Sequence, residues 1–228
     1  QTKKNFAILN MNNLHIKREV NCQNFMPKLI KIYKYQDIKF LKNINNSYFY
    51  SESNRENLSF VIEIAKILKI KKNNLLKTLK KFKGLKYRQQ IIFKSKNLTI
   101  INDSKSTSFS SSASILKLMS NVFWIVGGLA KKGDKFLLKK KNCTHLKAYI
   151  YGKNKNTFIN ELKNKVQYES FTNLNILIKK VFLDIKNNEN LKHKTILFSP
   201  AAASFDSFKN FEERGKYFNN LIKKNNNV

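Results

Sequence analysis

The chain has 228 residues, and 42% of them are hydrophobic, which is enough apolar material to bury a core. Its 45 basic and 14 acidic residues give a formal net charge of +31, yet only four of the basic residues are arginines and the lysines form no single patch. Because specific nucleic-acid readers favour arginine forks, we do not expect a nucleic-acid partner, and the lack of a long apolar run excludes a membrane-spanning helix.

Residues 1–85 begin with two strand candidates, "FAILNM" and "SYFYS", and continue with two helical patterns. Apolar residues recur on one face of each helix, namely Leu58, Val61, Ile62, Ala65 and Leu68 in the first and Leu75, Leu76, Leu79 and Phe82 in the second. Gly84 then follows, in the position that commonly ends a helix. The pattern predicts a domain boundary near residues 84–88.

From residue 86 onward, short β-rich runs alternate with helical patterns. The predicted strands lie at 97–101, 122–126, 147–152, 166–170 and 195–199, and the predicted helices at 106–120, 133–141, 156–165, 173–185 and 206–223. Such an alternation is typical of an α/β fold with a doubly wound, mostly parallel, Rossmann-like sheet.

Three turns that follow predicted strands are rich in groups that bind anions. They are "NDSKSTSFSSS" after the first strand, "GGLAKKGDK" after the second and "SPAAASFDSF" after the last. Backbone N–H groups, hydroxyls and lysines at the carboxyl ends of parallel strands suit a carboxylate or a phosphate. Each turn alone could be an ordinary helix cap or glycine turn, and only their convergence on one rim predicts a pocket.

Other kinds of site have no support in the sequence. It contains none of the motifs GxxxxGK[ST], GxGxxG, HExxH or GxSxG. Cys22 and Cys143 lack the spacing of a disulfide framework or a zinc site, and His15, His145 and His193 do not lie near the three turns. We therefore expect neither a zinc centre nor a complete nucleotide-triphosphate site in this chain.

The segments "YRQQIIFKSKNLTIINDSKSTSFSSSASIL", "GGLAKKGDKF" and "SPAAASFDSFKNFEERGKYF" are similar to the C-terminal domain of the Mur ligases, and most similar to the branch that adds D-glutamate. "SNRENLSFVIEIAKIL" resembles the family's helix around H-N-x-x-N. The resemblance implies that residues 1–85 are the end of the central ATP-binding domain and that residues 86–228 are the C-terminal domain.

The resemblance also implies an activity. We expect an ATP- and Mg²⁺-dependent, cytoplasmic, amide-forming ligase that adds D-glutamate to UDP-N-acetylmuramoyl-L-alanine during peptidoglycan precursor synthesis. On the matching positions, the expected substrate-binding residues are Lys105, Thr107, Lys131, Ser204 and the backbone at Phe211. The expected ATP-binding residues are Asn57, Arg88 and Asp103.

The chain departs from the family pattern at two positions, since Tyr87 and Ser53 stand where the family usually has histidine. We expect the family's uracil-binding domain, phosphate loop, carbamylated lysine and Mg²⁺ ligands upstream of Gln1, in a longer or separately encoded part, so that this piece alone is inactive. Two alternatives stay open: a non-catalytic basic module that binds nucleic acid on the same fold, and a Mur ligase that adds another amino acid.

Overall fold

A computed structural model describes residues 4–22, 27–34, 38–188 and 190–225 of the chain. The chain divides into two compact units, residues 1–83 and 84–228. The assignment of the segments 1–85 and 86–228 to two domains of a Mur ligase stays a prediction.

The first unit has a two-stranded parallel sheet and several helices. In chain order its elements are β1 (Phe6–Asn10), α1 (Leu14–Cys22), β2 (Lys28–Ile32), α2 (Ile38–Ile44), a 3₁₀ helix (Ser47–Tyr50), α3 (Glu52–Ile67) and α4 (Lys72–Lys81). The helices share a small apolar core of Leu41, Ile44, Phe49, Leu58, Ile62 and Leu79. The first predicted strand and both predicted helices are therefore confirmed. The predicted helix end at Gly84 is wrong, because α4 ends at Lys81 and Phe82 caps it in an extended conformation.

The second strand predicted for this unit, "SYFYS", is wrong, because the segment forms the 3₁₀ helix. Asn46 caps it by accepting a hydrogen bond from the Tyr48 backbone N–H. The Tyr48 and Phe49 rings then pack against each other and against Phe82. An aromatic run typical of a strand is thus used to close a tight helical turn.

The second unit is built on a six-stranded sheet in the order β3-β4-β8-β5-β6-β7. The strands are β3 (Gln90–Lys94), β4 (Leu98–Asn102), β5 (Val122–Gly127), β6 (Leu146–Tyr151), β7 (Gln167–Ser170) and β8 (Lys194–Phe198). Only β3 runs antiparallel to its neighbour. The predicted mostly parallel α/β fold is confirmed, with β3 as a strand that the sequence pattern did not reveal.

Helices cover both faces of this sheet, as a doubly wound fold requires. They are α5 (Phe109–Leu116), α6 (Lys155–Leu162), α7 (Leu174–Asn187) and α8 (Phe211–Asn225). One apolar core contains residues of α5 and α6 with Trp124 of β5, and the other contains residues of α7 and α8 with Ile125. No described helix combines the length and apolar character that a membrane span needs.

Three of the predicted helices differ from the structure. The helix predicted at 106–120 is shorter, since α5 spans only Phe109–Leu116. The segment 133–141 has no α-helix, since Phe136 and Leu138 are buried while Leu137 between them is 85% exposed, which is the alternation of an extended chain. The last helix begins at Phe211 rather than at residue 206. Before it, the backbone N–H groups of Ser207 and Phe208 both donate to the Ser204 carbonyl and form a turn.

Candidate functional site

The three anion-binding turns predicted from the sequence meet at the carboxyl ends of β4, β5 and β8. The Ala202 N–H donates to the Ser106 carbonyl across 3.3 Å, which joins the turns after β8 and β4. Leu129 and Ala203 exchange two N–H···O bonds of 3.0 Å, which join the turns after β5 and β8. Because neighbouring turns hold one another through backbone bonds, they form one rim.

Asp103 is the most perturbed acid of this rim. Its Oδ2 accepts a hydrogen bond of 2.9 Å from Ser199 Oγ, and its Oδ1 accepts one of 3.0 Å from the Gln89 N–H. Burial raises its pKa from 3.8 to about 7, although both hydrogen bonds and the charges of Arg88 and Arg214 act in the opposite direction. Arg88, an exposed cation, therefore lies close enough to Asp103 to influence its ionisation.

Several hydroxyls of the serine-rich turn after β4 form hydrogen bonds inside the protein. Ser199 Oγ is 2.8 Å from Ser112 Oγ, which is 2.7 Å from Ser106 Oγ, and Ser106 Oγ is 2.8 Å from Ser111 Oγ. This chain of hydroxyls begins at the Asp103 carboxylate. The sequence suggested a dense set of hydroxyls for an anion, whereas three of them, with Ser199 from the turn after β8, form hydrogen bonds to a buried acid and to one another.

Lys105 and Phe211 lie together at the rim. The Lys105 ammonium is 4.0 Å from the centroid of the Phe211 ring, a cation–π contact that fixes a half-buried lysine. Ser104 Oγ donates a hydrogen bond of 2.8 Å to the Phe211 carbonyl and ties the turn after β4 to the first residue of α8. Two of the predicted substrate-binding residues are thus neighbours.

Lys131 and Thr107 are exposed residues of the turns after β5 and β4. The turns approach each other through Asp134, whose Oδ2 accepts a bond of 2.6 Å from the Phe109 N–H at the start of α5. A carboxylate of the chain itself therefore occupies the N-terminus of α5, where negative charge is favourable. The groups that remain accessible at this side of the rim are the two exposed side chains.

Ser204 is buried, and the turn that it begins separates it from α8. Asn210 caps that helix by accepting from the Glu213 N–H, and the Glu213 carboxylate accepts from the Lys209 N–H. These bonds use donors at the helix N-terminus that the sequence interpretation assigned to an anionic ligand. Ser204 is not the cap of α8, so a capping role does not explain its place in the motif.

Asn57 belongs to the first unit, where it lies on α3 as an exposed residue. Its neighbour on the same helix, Asn54, is buried and donates a bond of 2.7 Å to the Tyr48 carbonyl. The first asparagine of the family's motif therefore has a structural partner within this unit, and the second has an accessible side chain.

Tyr87, at the position where the family usually has histidine, packs against α8. A Cβ added to Gly215 would lie 2.3 Å from Tyr87 Cδ1, so the ring occupies the space that a side chain there would need. Tyr87 has a positive φ of 61°, and its carbonyl accepts a bond of 3.0 Å from the Lys105 N–H. The tyrosine thus has a packing role beside the rim.

Among the described residues, no group of three or more His, Cys, Asp or Glu side chains could hold a metal ion. The rim is instead a set of lysines, hydroxyls and backbone groups around a buried acid. Such a set can bind carboxylates or phosphates through charge-assisted hydrogen bonds.

No protein-family model matches the chain. Among curated proteins, it is 37% identical over 166 residues to the UDP-N-acetylmuramoylalanine--D-glutamate ligase of Wolbachia pipientis wMel. This match covers 73% of this chain and 32% of that protein. It is 30% identical over 240 residues to the ligase of the same name from Rickettsia felis, and this match covers 97% of this chain and 53% of that protein. This chain belongs to the Mur ligase family.

The solved structure of MurF from Acinetobacter baumannii has the same fold over 96% of this Mur ligase chain and 52% of its own length, with a TM-score of 0.62 and 10% identity. The chain spans about a third to a half of the length of the curated relatives it matches. The resemblance noted in the sequence is confirmed.

Proposed function

We propose that this chain supplies the D-glutamate pocket and part of the ATP site of a ligase that adds D-glutamate to UDP-N-acetylmuramoyl-L-alanine in the cytoplasm. The observation that carries the proposal is the rim, where backbone bonds join the turns that bear Lys105, Lys131 and Ser204. The names of the similar Wolbachia and Rickettsia proteins support D-glutamate as the amino acid.

The rim suits a dicarboxylate, because an acceptor with two carboxylates needs two sets of donors at a fixed separation. In this proposal, Lys131 and Thr107 bind one end of D-glutamate together with the acyl phosphate. Ser204 and the backbone at Phe211 hold its side-chain carboxylate, and Lys105, held against the Phe211 ring, adds positive charge between them. Lysine contacts to carboxylate are among the stronger hydrogen bonds in proteins.

The proposed reaction begins when ATP phosphorylates the alanyl carboxylate and releases ADP. The amine of D-glutamate then attacks the acyl carbon, so that a C–N bond forms in a tetrahedral intermediate. That intermediate collapses as the bond from carbon to the phosphate oxygen breaks, and the nitrogen loses a proton. Lysines at the rim would stabilise the negative charge that develops, while the two fixed carboxylates would orient the amine.

In the first unit, we propose that Asn57 contacts the adenine of ATP. In the second unit, we propose Arg88 for the phosphates and Asp103 for the ribose hydroxyls. The exposed Arg88 cation is suited to a phosphate. Both Asp103 oxygens already accept one hydrogen bond, but each carboxylate oxygen can accept a second one. The described residues do not fit a Mg²⁺ site, so we assign no step of the metal to them.

The proposal is tested in the longest open reading frame that encodes the chain, by measuring amide formation from D-glutamate, UDP-N-acetylmuramoyl-L-alanine, ATP and Mg²⁺. Lys131→Ala should raise the KM for D-glutamate by about ten- to a hundredfold, and Ser204→Ala by about fivefold, with little change in the KM for ATP. Asp103→Ala should raise mainly the KM for ATP. Lys139→Ala, a change of another exposed lysine, is the matched control and should alter neither.

Equal effects of Lys131→Ala on both substrates would show that the assignment of the rim is wrong. Amide formation with a different amino acid, but not with D-glutamate, would favour a ligase of other specificity. A basic nucleic-acid-binding module would instead give no ligase activity and a binding affinity that falls steeply with salt.

A further inference from the structure

Arg214 is a buried cation that is not among the predicted site residues. It lies on the first turn of α8 and is only 1% exposed. Its Nε donates to Ser104 Oγ across 3.1 Å, and one Nη donates to the carbonyls of Ser104 and Ala202 across 2.6 and 2.9 Å. The other Nη donates to the Ala203 carbonyl across 3.1 Å. The guanidinium therefore bonds to two of the three rim turns at once.

The third rim turn also touches Arg214. A Cβ placed on Gly128 would lie 3.2 Å from an Arg214 Nη and 2.8 Å from the Ala203 carbonyl oxygen, so only a glycine lets the turn after β5 come this close. Gly128 has a φ of +127°, which independently favours glycine there. One side chain is thus the meeting point of all three turns.

The carbonyls bound by Arg214 stand next to proposed substrate-binding residues in the chain. Ser104 immediately precedes Lys105, and Ala203 immediately precedes Ser204. Ser104 Oγ, which accepts from Arg214, also donates to the Phe211 carbonyl. Arg214 is therefore linked through Ser104 to the backbone at Phe211 as well. A shift of the guanidinium would consequently change the separation between the donors assigned to D-glutamate.

We propose that Arg214 is a positioning residue that sets the spacing of Lys105 and Ser204 for D-glutamate, and this proposal rests on the proposed function. We assign the residue no contact with substrate, because each of its three guanidinium nitrogens already donates to an oxygen of the protein. Burial lowers the pKa of Arg214, while the Tyr151 phenol and the Asp206 carboxylate beside it oppose that effect. An arginine nevertheless keeps its charge in proteins, so its donors are permanently available to the carbonyls.

Arg214→Lys tests the proposal because it keeps the charge and the apolar stem. A single ammonium cannot reproduce the planar fork that reaches carbonyls on several sides. In the ligase assay described above, the KM for D-glutamate should rise about ten- to a hundredfold, as expected when a binding group is misplaced by about an ångström. The KM for ATP should stay near the wild-type value.

Asp184→Asn is the control for a general loss of stability, because it disturbs another buried charged residue that makes several bonds. Asp184 binds Lys147 and Lys180 at 2.6 Å, and Lys147 lies at the amino end of β6, opposite to the rim. This variant should lower the melting temperature and leave the KM for D-glutamate unchanged. If Arg214→Lys does not fold, Ser104→Ala decides, since it removes the hydroxyl between Arg214 and Phe211 and should raise the same KM by about threefold.

An unchanged KM for D-glutamate in the folded arginine variant, or an equal rise in the KM for ATP, would overturn the positioning role. The positioning role would also be overturned if Asp184→Asn raised the KM for D-glutamate as much as Arg214→Lys does, at an equal loss of melting temperature. These outcomes leave the proposed function intact, because the wild-type enzyme would still use D-glutamate. A wild-type enzyme that does not use D-glutamate would overturn both proposals.

Discussion

Replacing Asp103 with asparagine should abolish a pH dependence of stability that originates in one buried carboxyl group. The folded pKa of Asp103 is raised from 3.8 to about 7, mainly by burial. Between these pH values the folded state holds a proton that the unfolded state has released, so stability falls as pH rises. A rise of about 3 pKa units at about 1.4 kcal/mol per unit amounts to about 4 kcal/mol in the free energy of unfolding.

This contribution is fully present below pH 3.8 and is lost once the pH exceeds about 7. Asp103→Asn keeps the shape and a neutral acceptor for the Gln89 N–H, but it cannot titrate. We therefore expect the free energies of unfolding of wild type and variant to diverge progressively between about pH 4 and pH 8, by about 4 kcal/mol in total and in favour of the variant at the higher pH.

The assay is urea unfolding followed by the fluorescence of Trp124. The chain has one tryptophan, which is fully buried in the second unit, and its Nε1–H donates to the Ser199 carbonyl across 2.8 Å. The signal consequently reports the unit that contains Asp103, even if the other unit unfolds separately. Parallel pH profiles for the two proteins would mean that Asp103 has no raised pKa in the folded state.

A second acid provides a control of opposite sign. Burial alone would raise the pKa of Asp184, but hydrogen bonds from Lys147, Lys180 and Tyr149 lower it to about 2. Its stabilising contribution is therefore present above pH 3.8 and is lost as the pH falls toward 2. Asp184→Asn should change the wild-type profile only in that acidic range and leave the slope between pH 4 and 8 intact.

Three further changes test the packing and the charge of the second unit. Gly215→Ala should lower stability by about 1 to 3 kcal/mol because its methyl group meets the Tyr87 ring, and Tyr87→Ala in the same chain should restore much of the loss in thermal melting. Asp134→Ala should cost about 1 kcal/mol in urea unfolding, since it removes the acceptor at the N-terminus of α5. Changing lysines 139–141 to glutamate should leave ligase activity nearly unchanged, and a large loss would give the basic surface a function.

The strands of the second unit could be predicted because runs such as "VFWIV" are apolar, β-branched or aromatic and end at turn residues. The same signal failed for "SYFYS", where the rings pack with Phe82, a residue distant in the chain. It also missed β3, which pairs with β4 only along one edge of the sheet and has no fully buried residue. In this sheet, the local pattern therefore identified the five parallel strands, including β7 at one edge, and missed the antiparallel strand β3 at the other edge.

The rim could be predicted in outline, since strand ends and turn composition are local features. Its internal bonds could not, because they join residues far apart in the chain. Arg214 and Ser104 are 110 positions apart, and Asp134 and Phe109 are 25 apart. A lone arginine in a helical pattern gives no sign of burial, since its partners are main-chain carbonyls of other turns. The hydrogen bonds that connect the serine hydroxyls to Asp103 could not be predicted for the same reason.

Whether this chain holds a pocket for D-glutamate can be measured from the amide chemical shifts of the labelled chain during titration with D-glutamate or L-glutamate. We predict saturable shifts at 104–107, 128–132 and 203–211 with D-glutamate, and weaker ones with the L enantiomer. Absence of shifts at these residues, or equal shifts with both enantiomers, would mean that the chain has no pocket selective for D-glutamate.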